Sequence, residues 1–319
     1  MVSVSNSRQV ADLVAKVREN VQRVIVGKDE SIELALVALL CRGHILVEDV
    51  PGIGKTTLSK ALATSLGCSF KRIQCTPDLM PSDVLGVNFF NQKMSEFEFR
   101  PGPVFSQVVL ADEINRATPR TQSALLEAMQ EQQATVDGVT MPLPEPFLVL
   151  ATQNPVEMEG TFPLPEAQLD RFMVRVTLGY PSAEEESDIF LRFERDSVLP
   201  DLQPVTSSDE LSSMQLVPQA VRVDDVVRQY VVSIITATRR HSGISLGASP
   251  RAGLALYKTS QARAAIDGRD YVTPDDVKRL APSVLPHRMI LSSTARLRGS
   301  TAEQLVAEIL DSVPVPIEG

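Results

Sequence analysis

The stretch Asp49-Val50-Pro51-Gly52-Ile53-Gly54-Lys55-Thr56 decides the fold of this chain. It follows the apolar run Ile45-Leu46-Val47 and opens the helical pattern Thr57-Leu58-Ser59-Lys60-Ala61-Leu62-Ala63. The order strand, glycine-rich loop and helix is typical of a phosphate-binding loop, in which backbone N–H groups and the helix N-terminus attract an anion. Lys55 is predicted to reach the outer phosphates, and Thr56 to hold Mg²⁺. The alternative is an ordinary turn between a strand and a helix.

The first position of this loop departs from the general pattern, which has glycine where this chain has Asp49. Aspartate tolerates left-handed backbone better than most residues, so the departure weakens the prediction only slightly. The residues of the loop that we predict to contact a bound phosphate compound are Pro51, Gly52, Ile53, Gly54, Lys55, Thr56 and Thr57.

Composition disfavours several classes of protein. The 319 residues carry 40 acidic and 31 basic side chains, and the net charge of −9 argues against non-specific binding to nucleic acid or to an anionic membrane. The three cysteines form no Cys-x-x-Cys pair and the three histidines lie far apart, so neither a disulfide framework nor a structural metal site is indicated. Because the sequence shows no spanning segment and no export signal, we expect a cytoplasmic protein.

Two further apolar runs end in polar residues that could take part in a reaction. Val108-Val109-Leu110-Ala111 leads to Asp112 and Glu113, as expected of a buried strand whose end reaches the edge of a sheet, where ligands of open α/β sheets bind. Asp112 is predicted to hold Mg²⁺, directly or through water, and Glu113 to polarise a water against the γ-phosphate. The strand 147–152 leads to Asn154, which either positions that water or is a turn residue before proline.

Two arginines, and the two residues that interrupt the helical pattern at Val26-Gly27, are also candidates for contacts with the nucleotide. Arg171 precedes the strand 174–178, and the order of the strands is expected to separate it from the phosphate loop, so that a neighbouring subunit's nucleotide is an alternative target. Arg251 stands at the start of a helix, where a cation is unfavourable unless an anion lies nearby, and it would fit a phosphate presented from the large domain. The alternative for Arg251 is a plain surface arginine. Val26 and Gly27 are candidates for packing against an adenine ring or, equally, for a helix C-cap.

Two segments are predicted to be β-hairpins inserted between core elements. The first, Val84 to Phe105, contains five of the eleven phenylalanines, and its residues 96–100 alternate with period two. Its aromatic side chains either contact a substrate or a neighbouring subunit, or pack on their own domain. The second, Ala134 to Pro142, carries an Asp-Gly turn between β-branched residues.

The pattern changes near residue 196. Residues 198–218 are rich in proline, serine and aspartate and predict a linker with one short helix. Helical patterns then follow at residues 223–240, 250–265, 274–285 and 302–313. We therefore expect two domains: residues 1–196 with α/β architecture and a parallel sheet, and residues 197–319 as a smaller, all-helical domain.

In this order, the motifs resemble those of an AAA+ ATPase and, within that group, those of the MoxR family. The resemblance covers Val10 to Val313, and its most specific part is Ala111-Asp112-Glu113-Ile114-Asn115-Arg116-Ala117. Residues 48–56, 151–155 and 166–172 carry the rest. It implies a P-loop NTPase domain of three αβα layers with two β-hairpin insertions, followed by a helical lid.

The resemblance also implies roles for the candidate residues. ATP and Mg²⁺ are the expected ligands of the phosphate loop, and members of the family often lack its first glycine. Gln74 is a candidate for gating the acidic pair. By this resemblance, Lys55 and Thr56 bind ATP with Mg²⁺, Asp112 and Glu113 form the acidic motif, Asn154 is the first sensor, Arg171 the arginine finger and Arg251 the second sensor.

The family further implies a homo-oligomeric ring, expected to be hexameric, in which Arg171 acts on the neighbour's ATP. Its members are thought to be chaperones that remodel or activate client proteins, often with a von Willebrand factor A domain partner, and sometimes to help metal or cofactor insertion. Two alternatives stay open. One is a DNA or RNA motor or loader, and the other is a scaffold whose slow hydrolysis sets only its assembly state.

Overall fold

The computed structural model describes residues 4–154, 160–195 and 202–316 of the chain. The helices are α1 Val4–Gln22, α2 Asp29–Leu40, α3 Lys55–Ser65, α4 Pro81–Leu85, α5 Pro119–Glu131, α6 Glu166–Leu169, α7 Ala183–Arg195, α8 Ser208–Met214, α9 Asp225–Arg240, α10 Pro250–Ile266, α11 Pro274–Val284, α12 Ser293–Leu297 and α13 Ala302–Ser312. The strands are β1 Ile45–Glu48, β2 Phe70–Gln74, β3 Gly86–Asn91, β4 Glu96–Pro101, β5 Val108–Asp112, β6 Gln133–Val136, β7 Val139–Pro142, β8 Leu148–Gln153, β9 Val174–Val176, β10 Ile244–Leu246 and β11 Ile290–Leu291.

Five strands form one parallel sheet in the order β2-β5-β8-β1-β9. All five residues of β5 are buried, which explains its continuous apolar run, because a strand covered on both faces has no solvent side. β8 lies between β1 and β5, so the carboxyl ends of these three strands are adjacent. The predicted α/β fold with a parallel sheet is confirmed, and this edge of the sheet brings the phosphate loop, the acidic pair and Asn154 into one region.

The structure corrects the reason that we gave for separating Arg171 from the phosphate loop. β9 pairs directly with β1, with Ile45 opposite Val174, so the strand order does not keep the two apart. Arg171 instead precedes β9, whereas the phosphate loop follows β1. The two sites therefore lie at opposite ends of these strands, which we call the amino and carboxyl edges of the sheet. At least the length of the four-residue strand β1, about 13 Å, separates them. Strand order depends on contacts between distant segments, which local sequence patterns do not encode.

Both predicted hairpins are present. β3 pairs with β4 and β6 pairs with β7, each in antiparallel register, and Asn88 of the first hairpin donates a 2.9 Å hydrogen bond to Asp137 of the second. Packing on the hairpin's own domain is found for part of the phenylalanines, whereas contact with a substrate or a neighbouring subunit stays a prediction for the exposed ones. Phe105 is half-buried against Phe99, whereas Phe97 is 74% exposed at the far end of the first hairpin.

The region after residue 202 is helical, as expected, apart from one small feature. β10 and β11 form a short antiparallel pair that the all-helical prediction missed. Strands of three and two residues are too short to produce a recognisable alternation in the sequence. The predicted boundary between residues 196 and 197 lies outside the described residues.

The lid, which we define as residues 202–316, packs directly on the first two helices. Its buried side chains belong to the same apolar cluster as those of α1, α2 and β1. Glu33 on α2 reinforces this contact, because its carboxylate pairs with Arg263 and Arg279 of the lid, each at 3.2 Å. Within the described part of the chain, no helix combines the length and the apolar character needed to cross a membrane.

Candidate nucleotide site

The phosphate loop has the backbone that an anion cradle requires. Gly52 and Gly54 have φ angles of 87° and 90°, in the left-handed region that side chains disfavour. A Cβ atom built on either residue meets nothing within 4 Å, so both glycines face open space, where an anion can approach the backbone. Lys55 begins α3, and its Nζ donates a 2.9 Å hydrogen bond to the carbonyl of Asp49, which folds the lysine over the loop.

Asp49 ties this loop to another part of the chain. Its buried carboxylate accepts hydrogen bonds from the backbone N–H groups of Val50, at 2.9 Å, and Gly179, at 2.6 Å. Gly179 belongs to the connection between β9 and α7. The aspartate in place of the first glycine is therefore a structural bridge, and the sequence offered no sign of its distant partner.

The predicted adenine contact, Val26 and Gly27, lies beside the same connection. Lys28 donates to the carbonyl of Tyr180 at 3.1 Å, one residue after the partner of Asp49. The carboxylate of Glu185 presses against Gly27, where a side chain would overlap with it. Val26 and Gly27 thus share with the phosphate loop a common support, the connection from β9 to α7.

The acidic pair stands at the carboxyl end of β5. Asp112 is 9% exposed, and its Oδ1 accepts a 2.6 Å hydrogen bond from the Thr152 hydroxyl. The same Thr152 oxygen accepts the backbone N–H of Glu113 at 2.8 Å. Glu113 has a φ of 57°, a left-handed conformation that is costly for this residue type and that turns the chain sharply after the strand. Thr152 therefore fixes the positions of both acids.

Three cationic or amide side chains hold the carboxylates of this pair. Arg72 on β2 contacts Oδ2 of Asp112 through Nη2 at 2.6 Å. Glu113 Oε2 accepts hydrogen bonds from Gln74 Nε2 at 3.3 Å and from Arg116 Nη1 at 3.2 Å. The expectation that Gln74 could gate Glu113 is thus compatible with the geometry, because the amide touches the carboxylate directly.

Asn154 follows β8 at the carboxyl edge, between the strand that precedes the phosphate loop and the strand that precedes the acids. The hydroxyl of Thr56 and the carboxylate of Asp112 are both oxygen donors, which is the ligand type that Mg²⁺ prefers. Their chemistry is compatible with the predicted Mg²⁺ site, in which the metal would share the Asp112 carboxylate with Arg72 and Thr152.

Arg171 and Arg251 lie together and apart from the phosphate loop. Both line a cavity of about 330 Å³, which also contains Arg42, Lys258 and Arg288 and a single acidic residue, Asp170. Gly43 and His44, immediately before β1, form part of its wall, so the cavity lies at the amino edge of the sheet. The sequence-based expectation that Arg251 faces a phosphate held by its own large domain is therefore not met by this geometry.

The reason for this placement is the docking of the lid. Ser249 caps the start of α10, which carries Arg251, and its hydroxyl donates a 3.0 Å hydrogen bond to Asp170. Arg171 itself donates to the carbonyl of Leu126 on α5 at 2.9 Å. Two arginines from different domains thus share one basic cavity.

The buried side chain of His44, which lines this cavity, holds neighbouring elements together through hydrogen bonds. His44 Nδ1 accepts the backbone N–H of Val149 at 3.0 Å, and Nε2 donates to the carbonyl of Met129 at 2.8 Å. Burial lowers the pKa of His44 to about 4, so the ring is neutral and carries its proton on Nε2 at pH 7. It joins the start of β1 to β8 and to the end of α5.

Sequence reasoning missed several residues of the site. A weak signal existed for Arg72, which shares one face of β2 with Gln74 because side chains two apart in a strand point the same way. Thr152 lay inside a predicted strand and in the motif at residues 151–155, but nothing there predicted its contacts with both acids. Glu185, Arg42 and Lys258 are brought to their positions only by the packing of distant helices.

Known proteins share these features. Residues 44–174 match the ATPase family associated with various cellular activities (AAA), and residues 236–309 match the AAA lid domain. The chaperone MoxR1 of Mycobacterium tuberculosis is 42% identical over 93% of this chain and 80% of its own length. The uncharacterized protein YeaC of Bacillus subtilis is 53% identical over 96% of each chain.

A solved structure gives the same result for the fold. The crystal structure of a candidate ATPase from Cytophaga hutchinsonii superposes with a TM-score of 0.92 at 39% identity and covers 98% of both chains. The two family matches cover the phosphate loop and the acidic pair within residues 44–174 and most of the lid within residues 236–309. On this similarity, the chain belongs to the MoxR family of AAA+ ATPases.

Proposed function

We propose that this protein hydrolyses ATP at a site shared by two subunits of a ring, and that it uses the hydrolysis to remodel or activate a partner protein. The observation that carries the proposal is the separation of two sets of residues. The phosphate loop and the acids stand at the carboxyl edge of the sheet, whereas Arg171 and Arg251 line a cavity at the amino edge. A site with both sets requires two copies of the chain.

One subunit would bind the nucleotide. The loop N–H groups and Lys55 hold the phosphates, and Val26 and Gly27 pack against the adenine ring. Thr56 and Asp112 would hold Mg²⁺, which neutralises charge on the phosphates when it is bound. Glu113 accepts a proton from the attacking water, which Asn154 helps to orient. The amide of Gln74 and the guanidinium of Arg116 both donate to Oε2 of Glu113, so this oxygen must leave them before it can accept the proton.

The neighbouring subunit would complete the site with its arginine pair. Charge builds on the γ-phosphate oxygens during hydrolysis, and a guanidinium stabilises that charge most strongly where water is excluded. Arg251 is exposed and Arg171 half-buried, so both are available to a second copy of the chain. This interface is heterologous and closes into a ring, which we propose to be hexameric.

The remodelling role rests on a surface as well as on the family. The first hairpin exposes Phe90, Met94 and Phe97, a concentration of large apolar side chains that is unusual on a free surface. We propose that it contacts a client protein or a partner with a von Willebrand factor A domain, with cofactor or metal insertion as one form that the output takes. The net charge of −9 disfavours the alternative of a nucleic-acid motor.

Three variants test the hydrolytic site. Lys55→Ala is expected to weaken ATP binding, because the phosphates lose their cation. Glu113→Gln is expected to bind ATP and barely turn it over. Arg171→Ala is expected to keep ATP binding and to lose turnover by about 10³-fold, as other arginine fingers do. Binding is measured with a fluorescent ATP analogue, and turnover by phosphate release.

The result that would refute the site is wild-type turnover in all three variants. Wild-type turnover in Arg171→Ala alone would refute only the shared site. A slow scaffold would show low turnover that no partner stimulates, and a nucleic-acid motor would show salt-sensitive stimulation by DNA. Copurification of a partner protein with Glu113→Gln in ATP would support the remodelling role.

A further inference from the structure

The short segment that carries Arg171 is held by side chains of the lid. Asp170, immediately before the arginine, accepts a 3.0 Å hydrogen bond from Ser249 through Oδ2. Its other oxygen, Oδ1, lies 3.0 Å from Nε of Arg288 in an ion pair whose arginine side chain is 2% exposed. The residue on one side of Arg171 is therefore fixed to the lid at two points.

The residue on the other side of Arg171 is fixed as well. The carbonyl of Phe172 accepts hydrogen bonds from Nη2 of Arg288 and, at 3.1 Å, from Nε2 of His287. Phe172 is itself fully buried beneath the sheet, so this carbonyl has little freedom. The guanidinium of Arg288 thus contacts the residues on both sides of Arg171.

Burial of the Arg288 cation costs more free energy than a contact with a purely structural role requires. Burial penalises the Arg288 cation and lowers its pKa, and the nearby cation Arg251 acts in the same direction. Apolar residues of similar volume often stabilise a fold as well as a buried ion pair does. What the charged residue adds is direction, because its planar guanidinium donates hydrogen bonds to the backbone carbonyls of Asp170, Phe172 and Val284 at once.

We propose that Arg288 is a positioning residue for Arg171: by holding Asp170 and the carbonyl of Phe172, it sets the place from which Arg171 reaches the nucleotide of the neighbouring subunit. This inference rests on the shared site proposed above. It makes the lid of one subunit a control element for hydrolysis in the next, because His287 and Arg288 contact the residues on both sides of Arg171, so that a shift of this lid segment would move the arginine. A client that displaces the lid would slow the neighbouring site.

The test compares Arg288→Met with Arg171→Ala and with the double variant in the full chain. Displacement of a catalytic group by about 1 Å costs roughly 10- to 100-fold in rate, so we expect kcat of Arg288→Met to fall by that factor. KM for ATP and ring assembly should stay unchanged. The double variant should be no slower than Arg171→Ala, because a residue that acts only through Arg171 has nothing left to position.

Arg263→Met is the matched control. Arg263 is also a buried lid arginine that joins the lid to the large domain, through Glu33, and its other ion pair among the described residues is with Asp267 on the lid itself. Its variant should lose stability and keep kcat. Arg288→Lys and Asp170→Asn, which preserve size better, keep the test decisive if Arg288→Met does not fold. Both should lower kcat in folded, assembled protein.

The outcomes separate the two proposals. Wild-type kcat in folded Arg288 and Asp170 variants, while Arg171→Ala is slow, overturns the positioning role and leaves the shared site intact. Losses that multiply in the double variant also overturn it, because Arg288 would then act independently of Arg171. Wild-type turnover in Arg171→Ala overturns the shared site itself.

Discussion

Arg72 and Asp112 form a two-point contact across neighbouring strands, in which Nε at 3.1 Å and Nη2 at 2.6 Å both reach Oδ2 of the aspartate. Oδ1 is taken by the hydroxyl of Thr152. Both oxygens of the predicted metal ligand are thus occupied by protein groups. A cation that binds Oδ2 of Asp112 directly must compete with the guanidinium for this oxygen.

Removal of this competitor should therefore ease metal binding. We expect Arg72→Ala to lower the Mg²⁺ concentration that gives half-maximal ATP hydrolysis. The guanidinium is 46% exposed, so the ion pair is worth no more than about 1 kcal/mol, which corresponds to a shift of roughly fivefold at most. Titration of Mg²⁺ at constant ATP in phosphate-release assays measures the shift.

Lys71→Ala is the control for this experiment. Lys71 is an exposed cation on the same strand, but its side chain points to the opposite face of β2. It should leave the Mg²⁺ requirement unchanged. An Arg72→Ala enzyme that needs more Mg²⁺ than the wild type would show that the arginine assists the metal site.

Asp49 links the phosphate loop to Gly179, and its replacement should loosen both. Asp49→Ala leaves the N–H groups of Val50 and Gly179 without their acceptor, at a cost of roughly 1 to 3 kcal/mol in the free energy of unfolding. KM for ATP should rise because the loop loses its support. Asp49→Asn keeps one acceptor oxygen, so its stability and its KM should lie between those of the wild type and those of Asp49→Ala. Urea denaturation and ATP titration measure the effects, and equal KM values in all three proteins would contradict the bridging role.

The arginine pair predicts a distinctive pattern of complementation. Arg251→Ala should resemble Arg171→Ala, with ATP binding kept and turnover reduced. Mixing either variant with Lys55→Ala should restore up to about a quarter of wild-type turnover, because a random ring then contains interfaces with an intact loop on one side and both arginines on the other. The measurement is turnover after subunit exchange at equal concentrations.

Mixing the two arginine variants with each other separates the possible geometries. If both arginines act on the neighbour, every interface lacks one of them and turnover stays low. If Arg251 acted on its own subunit's nucleotide, a quarter of the interfaces would be complete, at about that share of turnover. Restored activity in this mixture would therefore contradict the arrangement that we infer from the cavity.

His44 predicts an acid sensitivity of stability. Its pKa is about 4 in the folded chain, below its unfolded value near 6.5, so the unfolded state binds the extra proton first as the pH falls. The contribution of His44 to the free energy of unfolding is therefore present above about pH 6.5 and is lost progressively as the pH falls from there to 4. Between pH 6.5 and 5 the loss amounts to about 2 kcal/mol.

Comparison with His44→Gln isolates this term from other titrating groups. The variant should be less stable than the wild type at pH 7.5, because glutamine reproduces the two hydrogen bonds of His44 poorly. Its stability should fall less steeply between pH 6.5 and 5. Urea unfolding at several pH values measures both slopes. Parallel slopes would exclude His44 as a source of the acid sensitivity.

The sequence alone determined the features that depend on neighbouring residues. The run from Ile45 to Thr56 predicted a strand, a loop and a helix because apolar patterning, glycines and helix propensity act within a few residues. The same holds for the strand before Asp112 and for both hairpins. Since parallel strands share one carboxyl edge, the meeting of the loop with the acids also followed from the pattern.

Only the tertiary structure decided which distant residues meet. The partner of Asp49 at Gly179, the contact of Arg72 with Asp112 and the place of β9 beside β1 all join segments far apart in the chain. Such pairings depend on how apolar faces pack, and the sequence carries no local mark of them. For the same reason, the lid carries Arg251 to Arg171 at the amino edge of the sheet, rather than to Lys55 at the carboxyl edge.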